Sequence, residues 1–148
     1  MSLQHNQAVE NAKQAYTLSL FDKRYQIYEK FKRFGEAHER KDYDGESYLE
    51  MTHLAHEAAF VFDRSIEDWL HEIAQQIHDY NDFMADNPLS RESDIFGNEV
   101  VVDDAHNAQL KRQYGSYKAW IREQFLPMES NHKFWHFMYV SDRPFMDG

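Results

Sequence analysis

The chain has 148 residues, 42% of them hydrophobic and 16% aromatic, with a formal net charge of −10. This length is that of one ordinary domain, so we expect a single helical domain over residues 1–148. The apolar content is sufficient for a core and excludes intrinsic disorder.

What the sequence lacks excludes further classes of protein. The longest uninterrupted apolar run is the pentad 58–62, whereas a membrane-spanning helix needs about 20 such residues. The N-terminus has no apolar block and cleavage site typical of a secretory signal. The absence of Cys excludes disulfide frameworks, thiolate catalysis and Cys-ligated metal sites. We therefore expect a cytoplasmic protein.

The charge is distributed unevenly along the chain. Residues 1–41 carry a net charge of +3, residues 42–110 of −15, and residues 111–148 of +2. An acidic domain repels phosphate backbones, so we expect no nucleic acid among its partners. The acidic middle segment also allows the hypothesis of an inhibitor or antitoxin-like binder of a basic protein.

The first predicted helix is unusually long. Between residues 4 and 40 there is no Pro, and large apolar residues recur at helical spacing, at Tyr16, Leu20, Ile27, Phe31 and Phe34. This spacing predicts an amphipathic helix from Gln4 to Phe34. Such a helix is about 46 Å long, longer than the diameter of about 40 Å of a compact chain of this size. We expect residues 1–15 to overhang, as a frayed end, a stalk or an oligomer contact.

The next two helices begin at capping residues. Either Asp44 or Ser47, the latter with Glu50 at capping-box spacing, begins a second helix. That helix shows an apolar face of Tyr48, Leu49, Thr52, Ala55 and Ala59. Either Asp63 or Ser65, the latter with Asp68, begins a third. It carries a second stripe as far as Phe83, formed by Ile66, Trp69, Leu70, Ile73, Ile77 and Tyr80.

The last third predicts a long connection and two more helices. Residues 86–103 form the connection, with a short strand or hairpin around Gly97 and Asn98. A fourth helix is predicted from Asp104 to Phe125, ending before Pro127, and a short fifth over residues 134–140. The fold class we predict is therefore all-α, an antiparallel bundle of four or five helices with a long N-terminal helix.

Two carboxylate–histidine pairs are the strongest candidates for chemistry. Glu50 and His53 have Glu-x-x-His spacing, and Asp68 and His71 repeat it as Asp-x-x-His on the next helix. In ferritin-like bundles, two such pairs converge on a divalent metal with further carboxylates from other helices. Here the first and fourth helices offer Tyr, Phe and Leu at those positions. The alternative interpretation is that all four residues are solvent-facing pairs on an acidic surface.

Two motifs lie on the first helix and at the corner before the third. The first has the form Phe-Asp-x-Arg-Tyr-x-Ile-Tyr and the second the form Ala-x-Phe-Leu-Phe-Asp. Their matching positions are Phe21, Asp22, Arg24, Tyr25, Ile27 and Tyr28, then Ala58 or Ala59, Phe60, Val61, Phe62 and Asp63. Over residues 18–83 the chain resembles a family of uncharacterised bacterial helical proteins. The resemblance implies a hydrophobic anchor preceding the first helix, at the inner membrane face, and no catalytic residue.

The polar residues of these motifs suggest a structural role. We predict that Arg24 or Asp22 forms an ion pair with the corner at Asp63 and Arg64. This contact would hold the first helix against the corner between the second and third helices. Tyr25, Tyr28, Phe60 and Phe62 supply the aromatic surroundings of these polar residues.

The function we predict is that of a non-enzymatic protein-interaction module that binds a protein partner or self-associates, as a dimer, through its first helix. Its location is cytoplasmic, either free or tethered to the membrane by a segment outside this sequence. The alternative from a different class is a metal-dependent hydrolase or oxygenase built on Glu50, His53, Asp68 and His71. The acidic inhibitor is the third hypothesis. No cofactor is predicted apart from the divalent metal of the enzyme alternative.

Overall fold

The computed structural model describes residues 3–138 of the chain. This part of the chain consists of five helices and one small hairpin, which confirms the all-α bundle with a long first helix. The elements are α1 (Leu3–Ala37), α2 (Gly45–Ala58), α3 (Arg64–Asp86), β1 (Arg91–Ser93), β2 (Glu99–Val101), α4 (Ala105–Glu123) and α5 (Pro127–Met138).

Only the second half of α1 enters the bundle. Ile27, Phe31 and Phe34 are buried, whereas every residue from 4 to 16 is exposed. The helix has 35 residues and is therefore about 52 Å long. It thus extends from the bundle by several turns.

The N-termini of α2 and α3 differ from the two predicted capping boxes. Asp44 is the N-cap of α2: its Oδ1 accepts from Ser47 N at 2.9 Å, while Asp44 N donates to Ser47 Oγ at 3.0 Å. The predicted box of Ser47 with Glu50 is wrong, because Ser47 is itself the third helical residue. The box of Ser65 with Asp68 is wrong for a similar reason, since Asp63 caps α3 and accepts from Ser65 N.

The buried face of α2 is also different from the predicted one. Leu49 is 54% exposed, while the buried side chains are Ser47, Met51, Leu54, Ala55 and Ala58. These follow the spacing of three and four residues expected for one helix face. The observed face buries more apolar area because it includes Met51 and Leu54.

Helix α3 is the central element, and its predicted apolar stripe is confirmed. All six residues of the stripe are buried, together with Ala74. Helix α3 packs against α2 on one side and α4 on the other. The stripe is buried because neighbouring helices cover it on both sides.

The connection between α3 and α4 contains the predicted hairpin. Strands β1 and β2 are antiparallel, with Arg91 opposite Val101. Gly97 has a φ of +79°, which glycine adopts without steric cost. Buried Asn107 fixes the base of the hairpin by donating to Ser90 O and Val102 O, at 2.9 and 2.6 Å.

Helices α4 and α5 close the bundle at an aromatic corner. Helix α4 ends at Glu123, and α5 begins at Pro127, seven residues before the predicted start at Phe134. The earlier start agrees with the preference of Pro for the first turn of a helix. Phe134 is fully buried. The end of the predicted helix, residues 139–140, lies outside the described residues.

A polar contact joins the α1–α2 loop to α3 and α4. The hydroxyl of buried Tyr80 donates to both carboxylate oxygens of Asp42, at 2.8 and 2.9 Å. Lys118 Nζ lies 3.4 Å from Asp42 Oδ1. Burial raises the pKa of Tyr80, and the hydrogen bond to Asp42 adds to this shift. The hydroxyl therefore keeps its proton and remains a donor.

Replacement of Asp63 by Ala should lower the free energy of unfolding by about 1–2 kcal/mol, because the cap of α3 is lost. The measurement is the urea midpoint. Asp63→Asn is the control: it keeps a side-chain oxygen for Ser65 N, so its midpoint should stay close to that of the parent protein. Equal midpoints for all three proteins would contradict the capping role.

Replacement of Gly35 by Ala should destabilise the protein by about 1–3 kcal/mol through overpacking. A Cβ at Gly35 would lie 2.8 Å from two atoms of Phe125. Gly115→Ala is the control, because a Cβ there meets nothing within 4 Å and Ala favours a helix over Gly by about 0.5–1 kcal/mol. Thermal unfolding should therefore move in opposite directions for the two variants. A stabilised Gly35→Ala protein would show that the contact with Phe125 is not close.

Candidate functional site

The residues predicted to bind a metal lie in two different places. Glu50 and His53 are exposed on α2. They line a depression of about 360 Å³ together with Lys30 and Arg33 of α1. The ammonium group of Lys30 is bound there to Glu57, with Nζ 2.8 Å from Oε2. Two cations thus border the first predicted pair of ligands.

The second predicted pair has other neighbours. His71 Nε2 lies 3.8 Å from Glu67 Oε1 on the same helix, and its ring lies 5.3 Å from that of His56. Asp68 is exposed. Within residues 3–138, no three His, Asp or Glu side chains are placed to hold one metal ion. The structure therefore does not bring the four residues together as a ligand set, and the metal site stays a prediction.

Arg24 joins α1 to the corner between α2 and α3. Its Nε donates to Val61 O at 2.7 Å, and its guanidinium lies 5.6 Å from the centre of the Phe62 ring. Burial lowers the pKa of Arg24, and the Asp63 carboxylate acts in the opposite direction. Arg24 therefore contacts the corner at the main-chain oxygen of Val61 and at the ring of Phe62. The negative charge of Asp63 also attracts its guanidinium.

The other residues of the two motifs differ in burial. Phe62 is buried and Phe60 is 88% exposed, so the corner turns one ring inward and the other outward. Tyr28 packs edge-on against Phe134, with ring centres 5.4 Å apart, and its hydroxyl donates to Asn131 Oδ1 at 2.8 Å. Asp22 and Arg64 are exposed.

A partly exposed apolar surface follows the extended half of α1. We call it the α1 surface and define it by Leu18, Phe21 and Tyr25, which are 70, 40 and 44% exposed and lie within about 60° of one another around the helix. Val9 lies on the opposite face of α1, about 180° from Leu18. The rings of Phe21 and Tyr25 are stacked, with centres 6.3 Å apart, and Tyr25 lies at the same distance from Tyr28. The apolar character of α1 therefore continues beyond the part that the bundle covers.

A second apolar feature is the tip of the hairpin. Ile95 and Phe96 are 92 and 81% exposed. Asp94 Oδ1 accepts from Phe96 N and Asn98 N, at 2.8 and 2.9 Å. These bonds hold the turn in one conformation and leave both large side chains in solvent.

A groove of about 500 Å³ lies between α1 and the corner from α4 to α5. We call it the aromatic groove. Four rings line it, those of Tyr28, Phe31, Tyr43 and Phe125, and so do the charged side chains of Lys32, Glu36, Glu39 and Arg122. Phe31 and Phe125 stack with ring centres 4.4 Å apart and planes inclined by 23°. The groove thus combines an apolar floor with charges of both signs.

Hydrogen bonds and stacking fix one end of this groove. Buried His38 is stacked with the rings of Phe34 and Tyr43, whose centres are 4.1 and 5.1 Å away. Its Nδ1 is 2.8 Å from Phe34 O and its Nε2 is 2.9 Å from Ser47 Oγ. Burial raises the pKa of Tyr43, and the neighbouring Arg122 acts against this shift. The Tyr43 hydroxyl therefore keeps its proton.

No sequence pattern indicates the aromatic groove. Its walls come from residues 28–43 and 122–131, which are far apart in the chain, and no short motif links them. One signal was available in Gly35. It is the one glycine of the long first helix, and its missing side chain allows the close approach of Phe125.

The remaining findings concern membranes and known proteins. Within residues 3–138, no helix combines the length and the apolar character that crossing a membrane requires. The chain matches no family model, and the searches of curated proteins and of solved structures find no match either. The predicted family membership therefore stays a prediction.

Proposed function

We propose that the protein is a non-enzymatic interaction module that forms a dimer through the extended half of α1. The observation that supports this proposal is the α1 surface, which covers the two turns from Leu18 to Tyr25, where α1 leaves the bundle. Soluble monomers rarely expose contiguous apolar patches larger than a few hundred Å². Larger exposed patches usually mark a binding site. A second copy of the same helix is a partner of matching length and character.

The charges favour a second copy as the partner. The whole chain has a net charge of −10, yet residues 3–23 contain two acidic and two basic side chains. Two chains therefore repel each other least where these neutral segments meet. Because burial of apolar area contributes about 25 cal/mol per Å², pairing of the two α1 surfaces stabilises a dimer.

The order of the charges favours antiparallel pairing. Along the segment the charged residues are Glu10, Lys13, Asp22 and Lys23. An antiparallel pair avoids placing these charges level with the same charges of the other copy. Such a pair has twofold symmetry and closes as a dimer. Parallel pairing would instead place equal charges at the same level.

A location on the cytoplasmic side, at the inner membrane face, belongs to the same proposal. It is supported by the two motifs on α1 and at the corner, which resemble a family whose members carry an anchor ahead of the first helix. The antiparallel pair does not depend on this location.

The experiment compares the full chain with the double variant Leu18→Asp and Phe21→Asp by sedimentation velocity over a range of concentrations. The parent protein should dimerise. The dissociation constant of the variant dimer should be at least about tenfold higher, which corresponds to about 1.4 kcal/mol. Both side chains are partly exposed, so circular dichroism should show unchanged helix content.

The matched control is the double variant Ile95→Asp and Phe96→Asp at the hairpin tip, which removes equally apolar exposed residues from another place. Its dimerisation should equal that of the parent protein. A monomeric parent protein, or a dimer that persists in the α1 variant, would refute the proposal.

The hairpin tip favours a second candidate function, the acidic binder of a basic protein. Ile95 and Phe96 lie within the segment that carries a net charge of −15, and the hydrogen bonds of Asp94 and Asn107 hold the hairpin in place before any partner binds. Preorganisation of this kind reduces the entropic cost of association. Binding to a basic partner would weaken with salt, whereas pairing of the neutral α1 segments would not.

A further inference from the structure

We propose that the aromatic groove binds a small planar aromatic compound that carries both an ammonium and a carboxylate group, such as an aromatic amino acid. This site is separate from the α1 surface, so the proposal does not depend on dimerisation.

The size and lining of the groove suit a small aromatic ligand. Its volume of about 500 Å³ lies within the range of about 300–1,000 Å³ that is typical of ligand pockets. Tyr28 and Phe125 are partly exposed at the groove, whereas Phe31 and Tyr43 are 1 and 4% exposed and lie beneath its surface. Aromatic rings favour offset-stacked or edge-to-face contacts with another ring.

The charges of the groove differ between its two walls. The wall from α1 and the turn that follows it carries Lys32, Glu36 and Glu39, with a net charge of −1, and the wall from α4 carries Arg122. Within residues 3–138, the ion pairs include none of these four side chains. The groove therefore presents a negative and a positive wall to a ligand.

This arrangement selects among classes of ligand. A carboxylate can bind the Arg122 guanidinium, which offers donors in a planar fork, while an ammonium group faces Glu36 and Glu39. An uncharged aromatic compound gains nothing from either wall. A dianion is repelled by the carboxylates of Glu36 and Glu39. The zwitterion is therefore the class that complements both walls at once.

The groove has this shape before any ligand binds. The contact of Gly35 with Phe125 fixes the floor. His38, stacked on Tyr43, is held by Phe34 O and Ser47 Oγ. The hydroxyl of Tyr43 keeps its proton and lies next to Arg122. In a preorganised site the side chains are already ordered, so binding does not have to pay the entropic cost of ordering them.

Calorimetric titration of the full chain with three related probes tests the proposal. The probes are L-tryptophan, which carries both charges, indolepropionate, which carries the carboxylate alone, and tryptamine, which carries the ammonium alone. L-tryptophan should bind most tightly of the three. Arg122→Gln should weaken the binding of L-tryptophan and of indolepropionate by about tenfold or more, and the binding of tryptamine should not change. The double variant Glu36→Gln and Glu39→Gln should weaken the binding of L-tryptophan and of tryptamine only.

The control variant is Arg112→Gln, which removes the same charge from an exposed position of α4 outside the groove. It should bind all three probes as the parent protein does. All substituted residues are exposed, so melting temperatures should be unchanged. The proposal is overturned if no probe binds at millimolar concentration, if Arg122→Gln binds L-tryptophan like the parent protein, or if the singly charged probes bind as tightly as L-tryptophan.

Discussion

The ring of Phe31 makes the contacts on which the arrangement of the bundle depends. It stacks on Phe125 beyond the end of α4, and its ring centre lies 5.0 Å from that of Trp69 on α3 and 5.3 Å from that of Phe134 on α5. One side chain of α1 thus contacts three other parts of the bundle. Aromatic pairs of this kind contribute about 0.5–1.5 kcal/mol each beyond the burial of their area. The second half of α1 is therefore fixed in the core.

The two surfaces to which we assign functions both follow from this anchoring. Because the contacts begin near Arg24, the preceding turns of α1 leave the bundle with their apolar residues partly exposed. Because Gly35 lets Phe125 approach α1 closely, the corner between α4 and α5 forms the second wall of the aromatic groove. The first surface suits a long helical partner and the second a small ligand, so one helix serves both.

The sequence predicted those features that depend on local periodicity. The stripe of α3 was identified because large apolar residues repeat along its whole length, and the hairpin because Gly97 follows a segment rich in turn residues. The buried face of α2 was predicted wrongly, since Leu49 and Leu54 are equally apolar and only the packing of α1 and α3 decides between them. The groove could not be predicted, because Tyr43 and Arg122 meet only after the helices have packed.

Hydrogen exchange along α1, followed by mass spectrometry at a concentration where the chain is monomeric, tests the central claim most directly. Amides held by the bundle exchange through global unfolding, while those of an unsupported helix exchange through local opening. We predict strong protection from Ile27 to Ala37 and exchange that is faster by orders of magnitude from residue 4 to residue 16. Uniform protection along the helix, or rapid exchange around Phe31, would contradict the account.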